Sequence, residues 1–375
     1  ELTDLMLRDS GHIQEADIEY LNRKRVRRGE APVEPLYTAE DAAAVAPLLK
    51  AVTYGEAFEP IPGVTARLWD AGHILGSAGM ALDIDEKGRK FRLWFSGDIG
   101  RYNLPLLPDP VVPESTEYLI MESTYGDKPH REPQQAYAEL REVVRRTIQR
   151  GGKVIIPAFA VGRTQELVYS LNRMISGGEL PAIPVFVDSP LAVNASKVFR
   201  RFHTYFDAET RQFERSGRHP ALEFDGLTYT QSVEESKALN NARQPMVIIS
   251  ASGMAENGRI LHHLRNNIEN PRNTIVIVSW QAPHTLGRRL ADREPRVRIF
   301  GEEFPRRAEV VTIGGFSAHA DQGMLLKYAA ASRRSLKAIM LVHGEPRAAG
   351  ALCEQLREQL DAHIHYPEPK ESIEI

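Results

Sequence analysis

The sequence predicts an α/β fold carrying a parallel sheet, and two observations lead there. In residues 133–291, strand-sized apolar runs alternate with helical patterns, as crossover helices between parallel strands require. In addition, five apolar runs end in small residues that include one His, Asp or Glu. Proteins of this class gather their chemistry at such strand ends.

Taken in order, helical stretches open the chain at 13–25 and 39–52, the second after Thr38, an N-cap with Asp41 three residues on. Strand patterns follow at 64–69, 79–84, 91–95 and 117–121. An amphipathic helix at 135–149 stops at Gly151-Gly152. Strands at 153–157, 185–188, 246–251 and 274–279 then alternate with helices at 164–175, 192–206, 259–268 and 286–291. Residues 207–230 read as irregular and charged. The last part runs strand (308–313), helix (322–331), strand (337–342), helix (348–360) and a short closing strand.

Composition is that of an ordinary globular protein, 42% hydrophobic and 26% charged, and no apolar run reaches the length of a membrane span. A lone cysteine, Cys353, precludes an internal disulfide and fits a reducing compartment, so the expected location is the cytoplasm. The net charge of −3 conceals an asymmetry: residues 128–313 hold 27 Lys and Arg against 20 acids, and the flanks hold 20 against 30. A basic middle suits an anionic polymer; an unevenly charged solvated surface fits the same count.

The five strand ends are VTARLWDAGHILGSA with His73, FRLWFSGDIG with Asp98, EYLIMESTYGD with Glu122, EVVTIGGFSAHAD with His319 and KAIMLVHGE with His343. Three His, one Asp and one Glu are the donor types that bind divalent zinc. Each alone reads as a structural histidine or a loop-capping acid. Together, and in this order, they resemble the β-CASP branch of the metallo-β-lactamase superfamily, which includes the 3′-end-cleaving subunit of the cleavage and polyadenylation machinery and its bacterial and archaeal relatives. PAFAVGRTQE, VFVDSPLA, SASGMAENGRILHHL and TLGRRL agree.

That resemblance implies a metallo-β-lactamase αββα sandwich, incomplete at its N-terminus, with an inserted β-CASP domain of parallel α/β type. Residues 1–127 would form the first part of the sandwich, 128–313 the insertion and 314–375 the returning part. It further implies two zinc ions, with His73 and His343 as terminal ligands and Asp98 bridging, activating a hydroxide for attack on RNA. Glu122 and His319 match a paired acid and histidine that deliver a proton to the leaving 3′ oxygen. His343, where DNA-acting members tend to carry valine, points to RNA. The expected activity is endonucleolytic, with a 5′-exonucleolytic mode as well, and a homodimer is within the family's habit. Ser317 is a candidate phosphate donor. Arg163, Arg259 and Arg288, at or near helix starts, read either as substrate contacts or as ordinary ion pairs. Asp188-Ser189 reads as a structural turn, His262-His263 as one packed and one exposed residue, and His363/His365 as unrelated to metal.

The sequence departs from the family pattern in two places. The motif H-x-H-x-D-H, which would supply four of seven ligands, occurs nowhere in the chain. The expectation is therefore an N-terminally truncated piece, inactive as given and with a raw sheet edge. In QAPHTLGRR, Pro283 and His284 stand where relatives often carry an acid and glycine. Two rival functions remain: a catalytically inert RNA- or partner-binding scaffold, and a small-molecule metallo-hydrolase on the same sandwich.

Overall fold

A computed structural model describes residues 1–217 and 219–375. Helix α1 (Leu2–Arg27) is a single helix, twice the length that the sequence pattern indicates. Gly11 does not interrupt it, because its bare face lies against the next helix: a Cβ there would come 2.6 Å from the Ala39 nitrogen. Helix α2 (Ala39–Val45) begins at Thr38 with a reciprocal capping box. It ends short of residue 52 because Pro47 falls in the following 3-10 turn, Ala46–Leu48, and cannot donate to a helical ladder.

Strands β1 (Ala57–Ile61), β2 (Val64–Asp70), β3 (Ala78–Glu86) and β4 (Arg89–Phe95) form an antiparallel meander. Strand β1 left no sequence signature because only Phe58 along it is even half-buried. Strand β5 (Tyr118–Glu122) then joins β4 in parallel.

The chain next builds α3 (Pro133–Gln149), β6 (Lys153–Pro157), α4 (Arg163–Ser176), β7 (Val185–Val187), α5 (Pro190–Arg201) and α6 (Ala208–Ser216). There follow β8 (Leu227–Tyr229), α7 (Val233–Asn241), β9 (Met246–Ser250), α8 (Arg259–Asn267), β10 (Thr274–Ile277) and α9 (Leu286–Ala291). Helix α6 and strand β8 occupy the stretch that reads as irregular; α6 fully buries only Thr210, and β8 is three residues long. A hairpin of β11 (Arg296–Ile299) and β12 (Glu302–Pro305) also escaped the sequence pattern. Its turn residues, Phe300 and Gly301, both take positive φ, the twist that tight hairpins use. Strand β13 (Glu309–Thr312) closes this part.

Six of these strands form an all-parallel sheet in the order β13-β10-β6-β9-β7-β8. Alternate residues feed opposite faces: Val154 and Ile156 of β6 pack into one core, Ile155 into the other. Burial on both faces is why these strands read as unbroken apolar runs.

The remaining elements, α10 (Gln322–Ala330), β14 (Ala338–Val342), α11 (Pro346–Gln359) and β15 (His363–His365), return to the first sheet. Strand β14 slots between β5 and β15 to give the order β1-β2-β3-β4-β5-β14-β15. Leu119, Met121, Ile339 and Leu341 pack there against Leu325, Tyr328, Leu352 and Leu356 of α10 and α11. Trp94 completes that layer, its indole N–H donating to the Tyr328 hydroxyl at 2.9 Å.

Two segments connect the sheets, and one buried side chain grips both. Arg101 is 2% exposed. It donates to the Arg131 carbonyl at 2.8 Å on the outgoing segment and to the Gly315 carbonyl at 2.7 Å on the returning one. Among the described residues, no helix is long and apolar enough to cross a membrane.

Candidate active site

Strands β2, β4, β5 and β14 run in one direction, so their carboxyl ends share one edge of the first sheet. His73 follows β2, Asp98 follows β4, Glu122 ends β5 and His343 follows β14. His319 lies between β13 and α10, on the segment that returns from the parallel sheet. The topology thus brings all five strand-end residues together.

Local hydrogen bonds fix each of them. In the His73 loop, the Ser77 hydroxyl accepts from the backbone of His73 (3.1 Å) and Ile74 (3.2 Å), and Asp70 accepts from Gly72 at 2.8 Å. This loop lies directly on the Asp98 loop. Gly100 donates to the Ala71 carbonyl at 2.7 Å, and a Cβ on Gly100 would come 1.9 Å from the Gly72 oxygen. Only glycine permits that approach. On the other side, His319 forms a β-bridge with Gly100, and Ala320 donates to the Ile99 carbonyl at 2.8 Å. His343 holds φ at +52°, a region that costs a non-glycine residue about 1–2 kcal/mol. Thr124 secures it by donating to the His343 carbonyl at 2.9 Å.

Asp98 stands between two histidines. Its Oδ2 is 3.8 Å from His73 Nε2 and its Oδ1 is 3.3 Å from His343 Nδ1. Two donors bound to one zinc at about 2.0–2.1 Å lie roughly 3–4 Å apart, and both spacings fall in that range. Burial holds the His73 pKa down to about 4, with the neighbouring His319 charge adding to it. Its ring is therefore neutral at pH 7, the form that binds metal. His73 Nδ1 is buried without a partner. On donor chemistry and spacing, His73, Asp98 and His343 fit zinc.

Glu122 and His319 are engaged differently. Glu122 is 1% exposed, and its oxygens accept from Ile99 N at 2.6 Å and Thr124 N at 3.4 Å. His319 Nδ1 lies 3.1 Å and 3.2 Å from the same two oxygens. Both oxygens are thereby occupied, which disfavours Glu122 as a ligand although it lies within reach of His343. Burial opposes charge on both groups, but the hydrogen bond and mutual attraction outweigh it: Glu122 stays below the ordinary carboxylate range and His319 above the ordinary histidine value. The hydrogen bond and mutual attraction thus favour the charged forms of both groups, and among the described residues no hydrogen bond engages His319 Nε2.

A cavity of about 880 Å³ opens over these residues, lined by His73, His319 and His343 from one side and by loops of the parallel sheet from the other. Ser317 and Arg163 are also in its lining. Arg163 is buried, and its guanidinium pairs with Glu166, which in turn accepts from the Tyr137 hydroxyl at 3.1 Å. Arg259 and Arg288 lie outside that lining. Arg259 donates to Asp188 and to the Gln231 carbonyl, both at 2.7 Å, and the exposed Arg288 pairs with Asp292 at 2.8 Å.

Asp188 is fully buried and also accepts from Thr230, Ser236 and His263. Burial would raise its pKa, yet these hydrogen bonds, His263 first, hold it far below the carboxylate range. His263 is buried and His262 exposed. Two neighbours of the site went unread in the sequence. His130 Nε2 lies 3.2 Å from the His319 carbonyl, and burial with the Arg101 charge keeps its pKa at about 4. Tyr125 packs edge-on against His130. Their signal was their place in the ESTYGDKPH run that follows Glu122.

A family model described as the Beta-Casp domain matches residues 164–290, and one described as a Zn-dependent metallo-hydrolase RNA specificity domain matches residues 303–367. The chain is 39% identical over 319 residues to "Ribonuclease TTHA0252" of Thermus thermophilus, covering 85% of this chain and 71% of that protein. It is 32% identical over 312 residues to an "RNase J-like protein" of Methanocaldococcus jannaschii, covering 82% and 70%. With "Transcription termination factor FttA" of Pyrococcus abyssi it shares 31% over 351 residues, 91% of this chain and 53% of that longer protein.

Proposed function

The chain belongs to the β-CASP family of metallo-β-lactamase RNA nucleases, and from that premise we propose that it hydrolyses RNA phosphodiester bonds with zinc held by His73, Asp98 and His343. The observation that carries this reading is Asp98, which turns one oxygen toward each of two histidines. Bound there, two zinc ions would supply Lewis acidity and an acidified water. His73, Asp98 and His343 are the three zinc ligands we assign among the described residues.

The protein's own groups do the rest. Glu122 fixes the Nδ1 proton of His319 and favours its charged form, leaving Nε2 to protonate the departing 3′ oxygen and yield 3′-hydroxyl and 5′-phosphate ends. Ser317, in the cavity lining, donates to a phosphate oxygen. Arg163 steadies that wall through Glu166. Arg259 and Arg288 engage RNA beyond the cavity, within residues 128–313, whose formal charge is net positive. We divide the chain at 127/128 and 313/314, a division supported by the Arg101 grip on both connecting segments.

The test is cleavage of circular and linear labelled RNA, and of matching DNA, with and without zinc. Cutting of the circle establishes the endonucleolytic mode, and added trimming of linear 5′ ends the exonucleolytic one. RNA bound but never cut, at any zinc concentration and with the family's ligand segment supplied, would leave the scaffold reading standing instead.

A further inference from the structure

The cavity wall opposite the histidines carries two large aromatic side chains that the core does not use. Phe159 follows β6 and Trp280 follows β10, neighbouring parallel strands, and each ring is 44% exposed while lining the cavity. Neither sits there loosely. The Phe159 ring lies on bare backbone at Gly253, where a Cβ would come 3.1 Å from its Cδ2. Gln281, buried beside Trp280, donates to the Gly253 carbonyl at 3.0 Å and the Ser279 carbonyl at 3.1 Å. The loop bearing one ring is therefore fastened to the glycine supporting the other.

Two exposed rings lining one cavity beside three histidines give it an apolar surface of the kind that marks a ligand groove. The chemistry that matches a rigid aromatic face beside a phosphodiester site is an unstacked nucleobase, which any sequence provides. We propose that Phe159 and Trp280 form a base-stacking step that seats single-stranded RNA across the cavity, a proposal that rests on the nuclease reading above. Duplex RNA, with its bases stacked internally, does not engage this step.

The test uses the full chain in chelator, titrated with labelled oligouridylate and with the same backbone carrying abasic sites. Of the three tryptophans, Trp94 is buried and Trp69 half-buried, so stacking is read directly as quenching of Trp280 emission. Phe159→Leu and Trp280→Leu keep apolar bulk but lose the aromatic face. Each is expected to weaken oligouridylate binding about tenfold, to leave abasic binding unchanged, and to be rescued by Phe159→Tyr and Trp280→Phe. Quenching disappears in Trp280→Leu and persists in Phe159→Leu. Leucine variants that bind like the wild type, or that lose abasic and normal RNA equally, overturn the stacking step alone. A wild-type chain that binds no single-stranded RNA overturns the nuclease reading and the step with it.

Discussion

His319 Nδ1 lies 3.1 Å from Glu122 Oε1 across a sequence separation of 197 residues. The two are joined only because the chain leaves the first sheet at β5 and returns to the same edge after building a second one. The proposed proton-handling role of this pair, as against a ligand role, is open to a direct test. His319→Ala is expected to lower the cleavage rate about 10²–10⁴-fold while bound zinc, measured by elemental analysis, stays at the wild-type level. Loss of zinc in parallel with activity would make His319 a ligand.

Asp98→Ala gives the opposite signature. Without a carboxylate between His73 and His343, zinc content falls and cleavage is not restored by raising pH. An unchanged zinc content in this variant would sink the metal assignment.

Gly100→Ala tests how the site is held together. The added Cβ would lie 1.9 Å from the Gly72 oxygen, so the His73 loop must move off the Asp98 loop. Overpacking of this kind costs about 1–3 kcal/mol. Weakened zinc affinity, with far-ultraviolet circular dichroism unchanged, is the expected outcome; wild-type affinity would show that the two loops are independent.

Asp188 sets a pH dependence of stability remote from the metal. Its folded pKa lies below its unfolded value near 4, so its contribution is complete above that value and is lost as pH falls through and below about 4. Asp188→Asn leaves Arg259 without its counter-charge and disturbs the buried His263 hydrogen bond, and is expected to cost about 3 kcal/mol at pH 7. Unfolding midpoints of the two proteins should begin to converge only as pH falls below about 4. Parallel curves across this range would remove Asp188 as the cause.

The three candidate arginines separate by burial. Arg163→Ala strands buried Glu166, whose pKa burial already raises, and is expected to destabilise by about 3 kcal/mol. Exposed Arg288→Ala should leave stability within about 0.5 kcal/mol, so that any loss of RNA affinity in it reports contact. A stability loss in both would place Arg288 in the fold and not at the substrate.

Much of this was legible in the sequence, and for physical reasons. Strands buried on both faces, such as β6 and β9, announce themselves as apolar runs, and the five polar strand ends stand out against them. Thr38 and Asp41 mark a helix start through local chemistry alone. What stayed hidden depends on tertiary contact. Strand β1 buries almost nothing, and the part of α1 before residue 13 packs through Gly11 against α2, a contact that sequence does not show. Arg163, Arg259 and Arg288 look alike in sequence, because which of them is buried depends on partners far away. His130 and Tyr125 acquire meaning only beside His319.

The place of β14 between β5 and β15 also dictates an order of events during synthesis. Once Glu122 has left the ribosome, the chain must extend to Ala338 before β5 gains its second neighbour, β14, about ten to forty seconds at ordinary elongation rates of roughly 5–20 residues per second. The parallel sheet, contiguous in sequence, folds inside that interval. His319 and His343 arrive last, so a nascent chain carries no assembled site. The five strand-end residues can come together only once the chain has been made through His343.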